Sequence, residues 1–288
     1  MFERAAICTD LTQSSASVVA CAGALGDLGV REAVLVHVID VRAAHLRSPA
    51  ETDAFARQAE LLEDAGIRVR IDAALGYPAY EIESVAESNR CDLIVIGSHR
   101  KGLFPAMFSG STSSDVMRIA SRPVLLVALE VLGSPEDSRL ACSRLLSSVL
   151  FLTDLSPRSD LAARYLLALA HAGLRRADLL HVVPLGERAA PDRARIAGER
   201  IQALADELRM VGVETVVSVR HGSPAQVAAE RVRGGGHSLV LVAPHERTPA
   251  ASAIDSVTNA VIRNTAAPVL VIPPRCVREP SGQPAGIT

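Results

Sequence analysis

Short apolar runs alternate with longer amphipathic segments along the chain, and this alternation predicts the structural elements. In the first half, runs rich in Val, Ile and Leu are typical of buried strands; they cover Arg4 to Thr9, Ala33 to Val38, Arg68 to Ala73, Leu93 to Ile96 and Val124 to Leu129. Between these runs, apolar positions recur with helical spacing; the predicted helices cover Ser14 to Leu28, Glu51 to Ala65, Pro78 to Ser88 and Ser113 to Ala120. Strands that alternate with helices favour parallel α/β units with right-handed crossovers.

The second half of the chain repeats the first, with five segments matched in order at an offset of 144 to 146 residues. V-L-F-L-T-D-L-S, which begins at Val149, places Asp154 on Asp10, and D-L-L-H-V-V places His181 on His37. Such an ordered set indicates a duplication. The predicted boundaries are residues 1–129 for the first domain, 130–146 for a linker, 147–274 for the second domain and 275–288 for a disordered tail.

Composition narrows the class of protein. The formal net charge is -2, which gives no electrostatic reason to expect nucleic acid or an anionic membrane as a partner. Aromatic residues make up 3% and Trp is absent, so stacking platforms for bases are not expected. The chain has five cysteines and no C-x-x-C motif. It also lacks a signal-peptide region and any apolar run long enough to span a bilayer. We therefore expect reduced thiols and a cytoplasmic protein.

The stretch from Asp92 to Ser113 carries the candidate chemistry. Its strand ends at Gly97, where the missing Cβ lets another molecule approach the backbone. A loop follows, and then a hydroxyl-rich helix start, made of Gly110, Ser111, Thr112 and Ser113. Such hydroxyls are N-cap candidates, and a helix N-terminus is an anion site. The combination predicts a phosphate cradle, although many helices begin this way without binding anything, and neither a Walker loop nor a G-x-G-x-x-G is present.

Placement in the fold bears on this prediction. Ligands of open parallel sheets bind past the carboxyl ends of strands, where the strand order reverses. If the first strand is central and neighbours the fourth, Asp10 and Gly97 face the same crevice. Asp10 and Asp154 have an alternative role as helix N-caps. His37 and His181 are interpreted as structural residues, and no metal site is expected because no H-x-x-x-H or Cys/His cluster occurs.

These residues resemble the universal stress protein family in its tandem two-domain form, over about residues 2–129 and 147–273. The nucleotide-binding branch of that family has a strand ending in Gly, two residues, Gly, nine residues, then Gly-Ser/Thr. Gly97, the loop and Gly110-Ser111 match this pattern, except that Arg100 stands where the family usually has glycine. The resemblance implies two repeated three-layer α/β/α domains, each with a five-stranded parallel sheet of order 3-2-1-4-5, as in the adenine nucleotide alpha hydrolase-like fold.

The resemblance also implies a ligand, ATP, with or without Mg²⁺, in the first domain. It assigns Asp10 to the adenosine part and the backbone of Val38 to the adenine. The residues it implies around the ribose and the phosphates are Gly97, His99, Arg100, Gly110, Ser111, Thr112 and Ser113. Because Arg100 replaces a glycine, an alternative is that Arg100 or Lys101 contacts phosphate directly.

The second repeat departs further from the nucleotide-binding pattern. Its fourth strand ends in Ala243-Pro244-His245-Glu246 instead of G-S-H-R. Asp255 stands where the first repeat has Gly110, after a loop that is shorter by one residue. Carboxylates at a phosphate-cradling helix start repel phosphate. Asp154 persists, so the sequence predicts a degenerate second site that has lost its phosphate half.

The function predicted from these features is a regulatory stress-response protein that binds ATP in its first domain. A slow ATPase stays open, with no general base beyond Asp10. The alternatives are a ligand-free interaction module, and an ATP-dependent ligase or pyrophosphatase; enzymes of that kind carry S-G-G-x-D-S or H-x-G-H where this chain has C-T-D-L-T.

The way in which the halves meet is predicted from the sheet order. In the order 3-2-1-4-5 the fifth strand is a long apolar edge, and exposed edges of this kind invite pairing. The simplest cover for each edge is the fifth strand of the other half. We therefore predict that the two domains pair through these strands within one chain, with a further homodimer of chains left open.

Overall fold

The computed structural model describes residues 1–40, 49–98, 112–128, 142–184, 191–244 and 255–280. The strands are β1 (Arg4–Cys8), β2 (Glu32–Asp40), β3 (Arg68–Gly76), β4 (Leu93–Ser98), β5 (Val124–Ala128), β6 (Val149–Thr153), β7 (Arg176–Pro184), β8 (Glu214–Gly222), β9 (Leu239–Val242) and β10 (Val269–Val271). The α-helices are α1 (Gln13–Gly23), α2 (Pro49–Glu63), α3 (Pro78–Ser88), α4 (Thr112–Ile119), α5 (Pro157–His171), α6 (Pro191–Met210), α7 (Pro224–Arg233) and α8 (Ser256–Asn264). Within these ranges, no helix combines the length and the apolar character that crossing a bilayer requires.

The strands form one ten-stranded sheet in which each half has the predicted order. The first half runs β3-β2-β1-β4-β5 and the second β8-β7-β6-β9-β10. Every pair of neighbours within a half is parallel. The predicted fold class, two repeated α/β units with five-stranded parallel sheets, is confirmed.

The halves meet where β5 lies antiparallel to β10, with Leu126 opposite Val269 and Leu125 opposite Leu270. This is the arrangement predicted from the two apolar edges. Leu126 is 2% exposed and Leu270 is 1% exposed, so each strand covers the other's edge. The result is a continuous sheet whose only free edges among the described strands are β3 and β8.

Apolar side chains pack on both faces of this sheet. One cluster contains residues of α1, α2, α5 and α6, including Val19, Leu62 and Leu166. The other contains residues of α3, α4, α7 and α8, including Ile82 and Val261. Each cluster combines residues of both halves, so the core continues across the β5–β10 seam. Helices on both faces are expected for a parallel sheet, whose strands must be buried on each side.

The first predicted helix is wrong in one respect, because its α-helical part ends at Gly23. A short 3₁₀ helix, Ala24–Leu28, follows it, and Gly29 has a φ of 96°. Glycines at 23 and 26 weaken a continuous α-helix. Gly23 also permits close packing, because a Cβ there would lie 3.2 Å from the Cβ of Ala65, just after α2. The sequence pattern did not distinguish this turn from more α-helix.

Parts of the predicted linker and tail are packed rather than loose. Cys142 and Leu145, from the end of the predicted linker, belong to the core. The prediction of disorder from residue 275 is wrong as far as Pro280: Cys276 is buried, and the Arg278 carbonyl accepts a hydrogen bond of 2.8 Å from the Tyr165 hydroxyl. The Arg278 guanidinium also donates to the Cys91 carbonyl of the first half at 3.3 Å. Residues 281–288 lie outside the described residues.

The prediction that all cysteines are reduced is also wrong, because Cys21 and Cys142 form a disulfide in the structure. The bond joins α1 to the segment before β6 across 121 residues of sequence, a separation from which no spacing rule predicts pairing. The other cysteines, Cys8, Cys91 and Cys276, are free and buried. Burial raises the pKa of each, that of Cys91 to about 11, so they remain thiols at neutral pH.

Candidate functional site

The candidate site lies where β1 and β4 are neighbours at the centre of the first half. Ile7 pairs with Val95, which brings Thr9 level with Gly97 two residues further on. Helix α1 follows β1 onto one face of the sheet, and α4 follows β4 onto the other, as their membership of different core clusters shows. This change of face opens a crevice at the carboxyl ends of the two strands. The topology therefore places Asp10 and Gly97 at the same edge of the sheet, as predicted.

Asp10 is exposed at the end of β1, and the loop after it holds its carboxylate in place. Its Oδ1 accepts hydrogen bonds from the Thr12 backbone N–H at 3.0 Å and from the Thr12 hydroxyl at 2.6 Å. Leu11, which lies between Asp10 and Thr12, has a φ of 65°, in the left-handed region that non-glycine residues seldom adopt. The N-cap of α1 is Thr12, which accepts from the Ser15 N–H, so the alternative role of Asp10 as the cap is wrong.

The charge of Asp10 follows from these contacts. Burial tends to raise the pKa of Asp10, but hydrogen bonds from Thr12 and Ser15 outweigh it and hold the pKa below its usual value. The carboxylate is therefore ionised at neutral pH. An ionised, exposed carboxylate is an acceptor suited to ligand hydroxyl or amino groups.

Val38 lies on β2 two residues beyond the last residue paired with β1. β1 stops at Cys8, which pairs with Val36, and the Thr9 N–H donates to the Val36 carbonyl at 2.9 Å. Because backbone groups alternate in direction along a strand, those of Val38 point to the same side as those of Val36, beyond the end of β1. Val38 lies within β2 rather than after it, since β2 continues to Asp40 along β3. The predicted contact of its backbone with adenine stays a prediction.

Polar contacts hold the residue after β1 in place at the floor of the crevice, and the sequence indicated only some of them. His37 Nδ1 donates to the Thr9 carbonyl at 2.9 Å, and His181 Nδ1 donates equivalently to Thr153 at 2.9 Å. Both histidines therefore have the structural role predicted for them. The Thr9 hydroxyl donates to Gln58 Oε1 of α2 at 2.6 Å, a contact that no sequence motif indicated. Among the described residues, no group of three or more candidate ligands could hold a metal ion.

The phosphate side of the predicted site is described only in part. Gly97 lies half-buried in β4 opposite Val127, and the strand continues to Ser98 instead of ending at the glycine. Thr112 is exposed at the start of α4, whereas Ser113 is buried. Since α4 connects two parallel strands, its N-terminus lies at the carboxyl edge of the sheet. The remaining predicted residues lie outside the described ranges; they are His99, Arg100, Gly110 and Ser111.

The second half reproduces the adenosine side of the crevice. Asp154 Oδ1 accepts from the Ser156 N–H at 3.0 Å and from the Ser159 hydroxyl at 2.6 Å. Leu155 has a φ of 60°, matching Leu11 in the first half. Arg200 of α6 donates to the Leu155 carbonyl at 2.8 Å, a further contact without a sequence signal. The conformation of this loop is therefore a repeated feature of the fold.

The phosphate side of the second half is different, because Asp255 caps α8. Its Oδ1 accepts from the N–H groups of Val257 at 2.9 Å and Thr258 at 3.0 Å, and its Oδ2 accepts from the Thr258 hydroxyl at 2.6 Å. A bound phosphate would need these same donors. The sequence predicted repulsion from this carboxylate, and the structure adds that it already satisfies the helix N-terminus.

Fold and site together define a class: tandem proteins of two doubly wound α/β domains, with a crevice at the centre of each half-sheet. The sequence profile of the universal stress protein family matches residues 1–128 and 146–273, and the chain belongs to that family. The predicted family is thus confirmed.

Solved structures show the same architecture over nearly the whole chain. The chain is similar to a universal stress protein from Archaeoglobus fulgidus, with 21% identity, a TM-score of 0.70 and 96% of each chain covered. It is also similar to a putative universal stress protein from Pseudomonas aeruginosa, with 13% identity, a TM-score of 0.63, and 94% of this chain and 92% of that chain covered. At these identities the likeness concerns the fold alone.

One curated relative is closer in sequence but only locally. Universal stress protein MJ0577 of Methanocaldococcus jannaschii is 36% identical over 66 residues, which is 23% of this chain and 41% of the relative. The match thus spans less than half of that relative's length. What the relatives do is therefore not established for this chain by the match.

Proposed function

We propose that the first domain binds ATP in the β1–β4 crevice and that occupancy of this site regulates a conformation or a partner interaction in a stress response. The observation that carries the proposal is the difference between the helix starts. The α8 N-terminus is satisfied by Asp255, whereas the first half has Gly110 at that position and an exposed Thr112 at the start of α4. A helix N-terminus with no carboxylate at its capping position is available to an anion. The acidic residue in the first turn of α4, Asp115, pairs with Arg118 instead.

Each part of the nucleotide has a proposed contact. The ionised Asp10 accepts hydrogen bonds from the adenosine part, and the Val38 backbone, which points past the end of β1, pairs with the adenine edge. The residues proposed for the ribose and the phosphates are Gly97, His99, Arg100, Gly110, Ser111, Thr112 and Ser113. Mg²⁺ accompanies the triphosphate in this proposal, since that ion is usually held by phosphate oxygens, waters and few protein ligands.

In this proposal the second domain is a degenerate partner. Asp255 occupies the donors that a phosphate would need, while the Asp154 loop keeps the geometry of the Asp10 loop. A ligand without phosphates, such as adenosine, is compatible with it. An isolated second half is therefore expected to bind ATP much more weakly than the first.

The paired fifth strands support a second part of the proposal. Ten strands in one sheet, with a core on both faces that crosses the seam, favour an internal pseudo-dimer in solution. A ligand-free interaction module built on this pairing is the alternative function.

We place the protein in the cytoplasm, where ATP is available. Disulfides are rare in that compartment, so the redox state of Cys21 and Cys142 in cells is a direct check of location.

Two measurements test the nucleotide proposal. The first is the mass of nucleotide released when the purified full-length chain is denatured. The second is calorimetry with ATP on Asp10→Ala and on its repeat-equivalent Asp154→Ala. Losing hydrogen bonds to a charged group costs about 1.5–3 kcal/mol, so Asp10→Ala should weaken ATP binding roughly 10- to 100-fold. Asp154→Ala should leave it unchanged. If both variants bind ATP as the wild type does, the proposed crevice is not the site.

A further inference from the structure

Strand β3 is one of the two free edges of the sheet and pairs only with β2 among the described strands. It is nine residues long, whereas strands of globular proteins usually have about five or six. A long edge strand presents a row of unpaired backbone N–H and C=O groups that a further strand can satisfy. β3 therefore offers a template for an added strand, whereas β5 and β10 already cover each other.

One face of β3 carries apolar side chains. Val69, Ile71 and Ala73 alternate along the strand and share the face on which α2 lies. Val69 and Ala73 pack against the core on this face, but Ile71, between them, is 47% exposed. An added strand would place a side chain opposite Ile71 and cover it.

The other face carries two charges of opposite sign, Arg70 and Asp72. Arg68 on this face pairs with Glu32, whereas no ion pair within the described ranges includes Arg70 or Asp72. Arg70 is exposed and Asp72 is half-buried. Charges on an edge strand usually oppose pairing with another chain. These two flank Ile71 symmetrically, and this symmetry reverses their effect when the added strand is a second copy of β3.

Two copies of β3 are complementary when they run antiparallel with Ile71 opposite Ile71. Arg70 of each copy then lies opposite Asp72 of the other, which gives two ion pairs related by a two-fold axis, and Val69 lies opposite Ala73. A register centred on Arg70 or on Asp72 would instead set like charges opposite each other, which is destabilising. Charge complementarity thus selects one register and one partner, a second copy of this chain.

The equivalent edge of the second half lacks this complementarity. The matching strand registers of the two halves place Val216 and Ser218 of β8 at the positions of Arg70 and Asp72. β8 forms the same edge strand without the charged pair, so the fold does not require that pair. Arg70 and Asp72 are therefore a feature of the first half's edge alone.

We propose that two copies of the chain dimerise by antiparallel pairing of their β3 strands, with Ile71 on the two-fold axis and Arg70 paired with Asp72 of the second copy. Such a contact is closed and isologous, as in most soluble homo-oligomers. Antiparallel pairing of edge strands already joins the two halves at β5 and β10. The dimer continues the sheet of one copy into that of the other, and it does not depend on the nucleotide proposal.

The test measures the dimer dissociation constant of the full-length chain by analytical ultracentrifugation. Arg70→Asp gives this face of β3 two negative charges, and Asp72→Arg leaves it with positive charges only. Each variant should therefore self-associate at least about 10-fold more weakly than the wild type, because both symmetry-related pairs become repulsive. Arg220→Asp, at an exposed arginine of β8, is the matched control and should associate as the wild type does.

Mixing the two variants is the sharper measurement. Arg70→Asp and Asp72→Arg should form a heterodimer with each other, detected with a fluorescent label on one of them, because every arginine again meets an aspartate. A folding defect in either variant would persist in the mixture, so recovery on mixing is specific to strand pairing.

Four results would overturn the proposal. The wild type stays monomeric up to about 100 μM, which excludes a micromolar dissociation constant; the single variants associate as the wild type does; or the mixture does not associate. The fourth is an assembly larger than a dimer that Arg220→Asp abolishes, which would show β3 pairing with β8 instead.

Discussion

The starts of α4 and α8 occupy equivalent places in the two halves and differ in one decisive side chain. At α8, Asp255 receives two backbone N–H groups and the Thr258 hydroxyl. At α4, the sequence places Gly110 and Ser111 before Thr112, and no carboxylate precedes the helix by up to four residues. A single carboxylate can thus take the place of a bound anion and close a helix N-terminus to ligands.

The adenosine sides of the two crevices, by contrast, are alike. Asp10 and Asp154 are held by the same kind of turn, and the residues after them have φ values of 65° and 60°. His37 and His181 both tie the first strand of their half to the second. The divergence of the repeats is therefore local. Loop geometry that the fold requires is kept, whereas the groups that would face phosphate have changed.

The largest effect is expected from breaking what the halves share. Replacing Leu126 and Leu270 by Lys puts two unpaired charges into the β5–β10 contact, where both leucines are buried. Each costs several kcal/mol, and the pair should cost more than about 5 kcal/mol. We expect separated domains or aggregation, measured by small-angle scattering and urea unfolding. Leu75→Lys is the control, since Leu75 is 63% exposed. Wild-type stability and scattering in the double variant would show that the fifth strands are not the interface.

The next effect comes from copying the second half into the first. Gly110→Asp, at a position outside the described residues, should place a carboxylate at the start of α4. Competition for the helix donors and repulsion of phosphate should weaken ATP binding by roughly 2–4 kcal/mol, or about 30- to 1,000-fold. Calorimetry with ATP measures this. An exposed glycine such as Gly236 is a poor control position, because its φ of 87° disfavours any other residue. The control is therefore Ser256→Asp, which adds a carboxylate in the second half. Equal ATP affinity in Gly110→Asp would refute the phosphate cradle.

A pH-dependent difference between the halves is expected from Asp178, which replaces Val34 of the first. Burial tends to raise the pKa of Asp178, but the hydrogen bond from His237 and the charges of Arg231 and Arg176 hold it below its usual value. The stabilisation is therefore complete above the unfolded pKa of about 4 and is lost as pH falls through the lower, folded pKa.

The variant that tests this is Asp178→Asn. It should lower the free energy of unfolding by about 2 kcal/mol at pH 7, and the difference from wild type should shrink below about pH 4. Urea unfolding at several pH values measures it, with Asp64→Asn as an exposed control. A difference that stays constant down to pH 2 would contradict the assignment.

The smallest effect sharpens the comparison at α8 itself. Asp255→Ala removes an N-cap that accepts three hydrogen bonds and should cost about 1 kcal/mol of stability. Asp255→Ser keeps a capping oxygen and should recover most of it, as thermal unfolding of the two variants would show. If the two lose the same amount, capping is not what the carboxylate contributes.

The sequence by itself determined the duplication and the alternation of strands and helices, which follow from periodicity and from the positions of glycine and proline along the chain. The sheet order of each half was implied by the resemblance to the universal stress protein family, and the pairing of the fifth strands was predicted from that order and from the rule that apolar edges are covered. The sequence also predicted that Asp10 and Gly97 face the same crevice, because topology alone brings the ends of adjacent parallel strands together.

Only the tertiary structure decided the contacts between distant side chains. It paired Cys21 with Cys142, packed the tail against Tyr165 and Cys91, and gave Thr9 its partner Gln58. It also showed that Asp255 accepts hydrogen bonds from the N-terminus of α8. His237 Nδ1, in contrast, is buried without a hydrogen-bond partner. The physical reason is that such contacts depend on how helices dock on the sheet to within a few ångström. Local patterns of polar and apolar residues fix which face is buried, but not which atoms meet there.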